Sequence, residues 1–343
     1  MKFETAPAPH LPVRAGVSRL MRRVLWALVP AGVAHLWFFG PGLAFNLAVA
    51  VGTALAAEAL MLHLRGRPVR AGLADGSAVL AAVLLAFALP PLTPWWITAT
   101  GSAFAMVVAK HLYGGLGYNV FNPAMAGYAV VLVSFPGSLA LWSVAAPGGL
   151  APPPLDLGQT LAFTLTGRLP AQVGFDAITQ ATPLDAMRSG LGQLQTLSEI
   201  RAEPPFGGPG EQAWLWINGL VAAGGLWLLW TRSIRWHIPV AMLGTLALLS
   251  AIAAGMDGDR FPGPFVQLFS GAALIGAFFI ATDPVSAATT RLGRLIYGCG
   301  IGALTFAIRS WGGYPDGVAF AVLLMNLAVP LLDRHTRPRP FGT

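Results

Sequence analysis

The residues best suited to chemistry form one polar stretch, Asp176-Ala177-Ile178-Thr179-Gln180-Ala181-Thr182-Pro183-Leu184, in an otherwise apolar chain. Its local reading is a helix start: Thr182 as N-cap, Pro183 at the first helical position and Asp185 two residues on, close to a capping box. Such a start is also an anion site. A phosphate esterified to an N-cap threonine sits against free amides and the positive end of the helix dipole. A second set of groups is carboxylates beside apolar segments. Glu58 falls inside an apolar run, where a carboxylate is costly and is paired, protonated or functional. Asp283 precedes Pro284, and Asp333 ends the last apolar run beside Arg334. They read either as solvated helix ends or, with Glu58, as the lining of a path for Na⁺ or H⁺. Asp316, followed by Gly317, reads as turn chemistry. Two amides, Asn119 and Asn122, flank a Gly-rich break and can either shape a turn or hold the polar edge of a ring.

The remaining candidates carry less. His10, His35, His63, His111, His237 and His335 show no i, i+4 pair and no metal-ligand spacing, and His35 with His63 as two haem ligands is a minor alternative. The single cysteine, Cys299, excludes an internal disulfide or a cluster bound by several thiolates, and its apolar context reads as a buried small hydrophobe. No dinucleotide fingerprint or phosphate loop occurs. No residue stands out as a catalytic acid, base or nucleophile.

These groups must be positioned by membrane helices. The 343 residues are 55% hydrophobic and 10% charged, against roughly 25% charged in soluble domains, and the mean hydropathy is +0.65. The fold class is therefore an all-α integral membrane protein. The 41 glycines and 28 prolines suit close-packed spans, where small residues let backbones approach and freed backbone groups find partners. Runs long enough to cross a bilayer fall near 24–40, 43–64, 74–91, 95–112 and 123–143, and again near 213–231, 236–254, 265–282, 293–310 and 316–333. The organisation is an N-terminal segment 1–23, a first membrane half 24–144, a long loop 145–212, a second half 213–333 and a tail 334–343. Residues 18–40 look like a signal sequence but lack a cleavage site, so they read as an uncleaved first helix.

Orientation follows from the basic residues. With the N-terminus inside, sixteen of the 21 Lys and Arg lie on the cytoplasmic side, Lys110 among them. Five, including Arg188 and Arg309, lie outside. Both termini are then cytoplasmic and the loop 145–212 is extracytoplasmic. The net charge of +7 is used for topology and gives no reason to invoke nucleic acid. Five spans per half make any repeat an inverted one, as in many transport folds. The Pro breaks at Tyr118–Pro123 and Thr282–Pro284 both fall on the cytoplasmic side, which does not suit a strict inversion.

Several stretches resemble one family in the same order. Asp176, Thr179, Ala181 and Thr182 are similar to the acceptor motif of an extracytoplasmic flavin transferase, which joins FMN to the final threonine; family members carry Gly where this chain has Gln180. Gly114 through Ala124, Phe278 through Ser286, Tyr314 through Phe320 and Asn326 through Asp333 continue the resemblance. That family is the D subunit of the Rnf complexes, ion-translocating ferredoxin:NAD oxidoreductases, with the B subunit of the sodium-pumping NADH:quinone reductase as a more distant relative. The resemblance covers the chain from about residue 20 onward. It implies a multi-pass flavoprotein of the bacterial inner membrane, part of an enzyme and not a complete one. It further implies covalent FMN at Thr182, with Asp176, Thr179 and Ala181 completing the motif, and a noncovalent riboflavin within the membrane, for which Asn119 and Asn122 are the candidates. The implied partners are the A, B, C, E and G subunits, the flavin transferase and membrane lipid, with NAD and ferredoxin bound elsewhere. The rival reading is a small-solute channel or secondary transporter without a redox role.

Overall fold

Inside a bilayer the backbone must satisfy its own hydrogen bonds, which leaves helices as the solution for apolar runs of this length. The computed structural model describes residues 16–146, 155–169 and 173–337, and among these the chain is helical apart from turns and one two-stranded ribbon. The side chains of Phe175 and Asp176 lie outside the described residues, so the predicted role of Asp176 has no geometry to report.

The first half holds α1 (Val17–Phe39), α2 (Gly42–Leu64), α3 (Ser77–Ala88), α4 (Trp95–Phe104) and α5 (Pro123–Ser134). A π-helix, Ala105–His111, continues α4. The second half holds α8 (Pro209–Trp230), α9 (His237–Met256), α10 (Pro264–Phe269), α11 (Arg291–Trp311) and α12 (Val318–His335). After α10 the span is broken at Ser270 and Gly271, then resumes as Ala273–Ile275 and a π-helix, Gly276–Ile280. Between the halves come α6 (Leu157–Thr166) and α7 (Pro183–Gly192). Four helices, α2, α8, α9 and α12, are long and apolar enough to cross a membrane, and α3 and α5 are shorter apolar helices. The chain is a multi-pass, all-α membrane protein.

The boundaries follow local chemistry. Asn122 caps α5 by accepting from the Met125 amide at 3.2 Å, with Pro123 at the first helical position. Pro136 ends the same helix, because the residue before a proline avoids the helical region. The span expected over 123–143 is accordingly shorter: it stops at Ser134, and Trp142–Ser143 are a strand, β1. The span expected over 265–282 is likewise split in two.

Packing relates the two halves. In the first, α2 lies on α3 and α4, and α4 on α5; in the second, α9 lies on α10 and α11, and α11 on α12. Equivalent helices also meet across the halves, α1 with α8 and α5 with α12. Close crossing requires small residues: a Cβ at Gly302 of α11 would run into the Met242 carbonyl oxygen of α9.

The long polar interval is tied to the membrane end. Strand β2 (Thr179–Gln180) pairs antiparallel with β1, Trp142 opposite Gln180 and Ser143 opposite Thr179. Leu92, Leu155, Phe163 and Ile178 form a small apolar core beneath it, and Met187, Leu197 and Ile200 form another. Two expectations fail here. Cys299 is exposed on α11, beside the exposed Leu292 and Ile296, as suits an apolar face turned to lipid. His35 and His63 cannot share a haem, because His35 sits near the start of α2 whereas His63 lies at its far end, about 30 Å along the helix.

Candidate functional site

Two cavities lie at opposite ends of the bundle, and between them they collect four of the nine predicted site residues, Thr182 on one and Asn119, Asn122 and Asp283 on the other. The first opens beside Thr182. The Thr182 hydroxyl accepts from the Asp185 amide at 3.2 Å and so caps α7, as its position beside Pro183 predicts. Thr182, Leu184, Asp185 and Arg188 line a cavity of ≈ 310 Å³, at the lower end of the roughly 300–1,000 Å³ range of small-molecule pockets. Its other walls are mainly apolar and aromatic, with His35, Phe87, Tyr128, Trp142, Trp214 and Tyr314. The indoles of Trp142 and Trp214 meet edge to face at 4.9 Å. Burial holds the Asp185 carboxyl above the usual range, with the Arg188 guanidinium pulling it back. A flat aromatic ring tethered through a phosphate at Thr182 suits this shape, and Arg188 suits an anion beside it.

Thr179 and Ala181 do not line this cavity. Thr179 is held in β2, and Ala181 is exposed at the turn before the cap. The ribbon that contains Thr179 carries Trp142 into the cavity wall and fixes where Thr182 emerges. Gln180 lies over the start of α8, its amide oxygen 3.3 Å from the place a Cβ on Gly210 would occupy. Gly210 leaves room for the longer side chain.

One wall of this cavity is pinned by Arg309 and Asp316. Arg309, on α11, donates to Asp316 at 3.1 Å and to the Ser270 carbonyl at 3.2 Å. Asp316 also accepts from the Ala272 amide at 2.6 Å and the Val318 amide at 3.2 Å. The turn reading of Asp316 is therefore incomplete, since it is the anion of a largely buried pair. Gly271 has φ +65, and a Cβ there would strike Asp316 and Leu184.

The second cavity, ≈ 90 Å³, gathers Asn119, Asn122, Lys110, Thr282 and Asp283 at the other end. The two Pro breaks are thus brought together without being equivalent. The counterpart of Asn119–Pro123, before α5, is Tyr314–Gly317 before α12, on the first cavity. The two asparagines have different employment. Asn122 spends its amide on the α5 cap and on the Ile280 carbonyl, 3.4 Å away, and its backbone N–H donates to Asn326 at 3.1 Å. Asn119 donates to the Phe121 carbonyl at 3.1 Å, and its own Oδ1 is buried without a partner among the described residues. An orphaned buried acceptor suits the N–H edge of a heterocycle. The cavity is too small to enclose a whole tricyclic ring, so a flavin held at Asn119 would extend beyond it.

Asp283 accepts from the Ser286 hydroxyl at 2.7 Å, and Asn326 donates to the Ser286 carbonyl at 3.0 Å and to the Tyr297 hydroxyl at 2.8 Å. Glu58 is paired. Lys110 donates to it and, at 2.7 Å, to the Ser77 hydroxyl, and both charged side chains are 2% exposed. His111 Nε2 stands 3.6 Å from the same carboxylate oxygen. Asp333 lines neither cavity; it accepts from the Thr289 amide and hydroxyl at 2.9 and 2.8 Å, tying the end of α12 to the start of α11.

Sequence reasoning misses Lys110, Arg309 and His35 as site residues. The first two carry a signal, being cations within four residues of the interior of a span, but a count of charges by side treats them as loop residues. Lys110 lies in the π-helix and Arg309 in α11, and both are buried.

Similarity to known proteins extends over the whole chain. The D subunit of the ion-translocating oxidoreductase complex from Aeromonas hydrophila subsp. hydrophila is 48% identical over 347 residues, which is 99% of each chain. The protein of the same name from Citrobacter koseri is 46% identical over 350 residues, 100% of this chain and 99% of its own. That from Vibrio cholerae serotype O1 is 47% identical over 349 residues, 100% of each. The model of the NQR2, RnfD, RnfE family matches residues 4–342. With that match over nearly its full length, the chain belongs to the NQR2, RnfD, RnfE family.

Proposed function

We propose that this chain is the membrane flavoprotein of an Rnf-type complex, its D subunit, carrying electrons between ferredoxin and NAD chemistry housed in other subunits. In this reading FMN is joined covalently to Thr182 by an extracytoplasmic flavin transferase, and a noncovalent riboflavin engages Asn119. The chain resides in the bacterial inner membrane with both termini cytoplasmic, the loop 145–212 outside, and the A, B, C, E and G subunits as partners. The observation that carries the reading is the position of the Thr182 hydroxyl, at a helix N-cap on the rim of a ≈ 310 Å³ aromatic cavity.

A bound flavin supplies one- and two-electron transfer. The chain's own residues supply the setting. Thr182 fixes the tether, the α7 N-terminus and Arg188 offer positive potential to a phosphodiester, and Trp142, Trp214 and Phe87 exclude water. Leu84 of α3 lines both cavities, so a single side chain is common to the two walls. Coupling to Na⁺ or H⁺ falls to the cytoplasmic cavity, where Asp283 is the carboxylate on the lining. Glu58 serves in its pair with Lys110, and Asp333 holds two helices together. A small-solute channel or secondary transporter could use the same inverted halves, but the shared apolar wall at Leu84 offers a solute no polar route.

The test is in-gel fluorescence of the denatured chain after coexpression with the transferase. Wild type gives a fluorescent band and Thr182→Val none. A dark wild type, or an equally bright Thr182→Val, overturns the covalent assignment.

A further inference from the structure

His35 stands near the end of α1 and is 2% exposed. Neither ring nitrogen has a hydrogen-bond partner among the described residues. Its neighbours explain why: Phe39, Phe87 and Trp142 surround it at ring-centroid distances of 5.0, 6.2 and 6.3 Å. An imidazole carries at least one N–H donor and, when neutral, one acceptor, and a buried polar side chain is ordinarily partnered. Phenylalanine or leucine would fill the same aromatic nest without that cost. The partner must therefore come from the open side, and His35 lines the ≈ 310 Å³ cavity that also receives Thr182. Of the other polar groups there, Asp316 is bonded to Arg309 and two backbone amides, Asn218 donates to the Phe269 carbonyl, and Asp185 and Arg188 belong to the helix that Thr182 caps.

We propose that His35 is a positioning residue for the ring tethered at Thr182, hydrogen bonding its heteroatom edge deep in the cavity while the phosphodiester is held at the rim. This rests on the reading that Thr182 carries a flavin. It assigns the ligand two anchor points, one covalent at the rim and one polar at α1, with an apolar aromatic cage between them. A hydrogen bond at the polar edge changes the relative stability of the oxidised and reduced ring, so His35 sets the reduction potential of that flavin as well as its pose.

The experiment uses the assembled complex carrying His35→Leu or His35→Gln, with the Thr182→Val complex supplying the background of all other flavins. In-gel fluorescence reports attachment, and spectroelectrochemical titration reports the potential of the Thr182 flavin. His35→Leu should keep the fluorescent band and shift the reduction equilibrium by about tenfold, ~59 mV for a one-electron couple. His35→Gln, which restores a donor and an acceptor, should recover part of the shift. Should His35→Leu fail to accumulate, His35→Phe is read in the same way, since it keeps a ring against Phe39 and Trp142. Wild-type potential and visible spectrum in the Leu or Phe variant, with the band intact, overturn the role of His35 alone. A dark wild-type band overturns the flavin reading beneath it.

Discussion

Replacing Lys110 by methionine should destabilise the protein by ~3–5 kcal/mol, the usual cost of stranding one partner of a buried ion pair. The magnitude follows from the geometry. Lys110 and Glu58 are each 2% exposed, Lys110 bridges Glu58 and Ser77, and Glu58 Oε2 already lacks a partner. Without the ammonium, the carboxylate keeps only His111 at 3.6 Å. Removing both charges is a different matter. Glu58→Leu with Lys110→Met replaces the pair by apolar groups of similar length, which in buried settings is neutral or stabilising. The assay is denaturant unfolding in mixed micelles for wild type, both single variants and the double, closed as a double-mutant cycle. We expect both singles to fall by several kcal/mol, the double to lie within ~1 kcal/mol of wild type, and the cycle to show strong coupling. Single losses that simply add, or a Lys110→Met protein as stable as wild type, would refute the pair. Glu58 would then be a free carboxylate and again a candidate ligand for the coupling ion.

Other substitutions separate roles that coincide in one residue. Thr182→Asn keeps a good N-cap but has no hydroxyl to esterify, so its band should be dark while stability stays within ~0.5 kcal/mol of wild type; Thr182→Val should lose about 1 kcal/mol as well. Asn119→Leu should lower extractable flavin with little effect on unfolding, whereas Asn122→Leu should cost ~1 kcal/mol of α5 capping; equal flavin content in wild type and Asn119→Leu counts against Asn119 as a ligand. The raised Asp185 carboxyl contributes stability that is full below its unfolded value, about pH 3.9, and lost as pH rises through the folded value. Asp185→Asn should therefore unfold later than wild type at pH 7 and no later at about pH 3.5; identical curves at both pH values would remove the burial argument. Arg309→Lys should behave as a loss of function in the outer wall, because one ammonium cannot span Asp316, Gln267 and Ser270 as the guanidinium fork does; a variant with wild-type flavin content and stability contradicts that assignment.

Much of the fold is legible because membrane spans are written in composition. Each of the ten apolar runs is helical over most of its length, and the Thr182-Pro183-Asp185 spacing places the α7 start correctly, since capping is local. What depends on packing is not legible. Nothing near Asn119 or Asn122 in sequence says that one amide is spent on a cap and the other left with an unpartnered oxygen. Glu58 and Lys110 are 52 residues apart, and their pairing follows only from α2 lying along the π-helical extension of α4. Cys299 misleads because an apolar run looks the same whether it faces lipid or protein. His35 suggests no more than a haem ligand until the aromatic nest that the end of α1 builds around it is seen.

The two halves use their separate polar groups in a common way. Lys110, near the end of the fourth span, reaches Ser77 at the start of the third. Arg309, near the end of the ninth, reaches Ser270 where the eighth span breaks. Each half thus uses a buried cation from one span to hold another, at its start in the first half and at its break in the second. Their anions differ, and so do the consequences. Glu58 belongs to a helix, so the first pin stiffens packed spans around a cavity of ≈ 90 Å³. Asp316 belongs to the turn that walls the ≈ 310 Å³ cavity, so the second pin shapes a chamber beside Thr182. One end of the bundle holds a small cavity with Lys110, Asn119 and Asp283 on its lining, and the other a broad aromatic one. The broad one is where a tethered ring needs room.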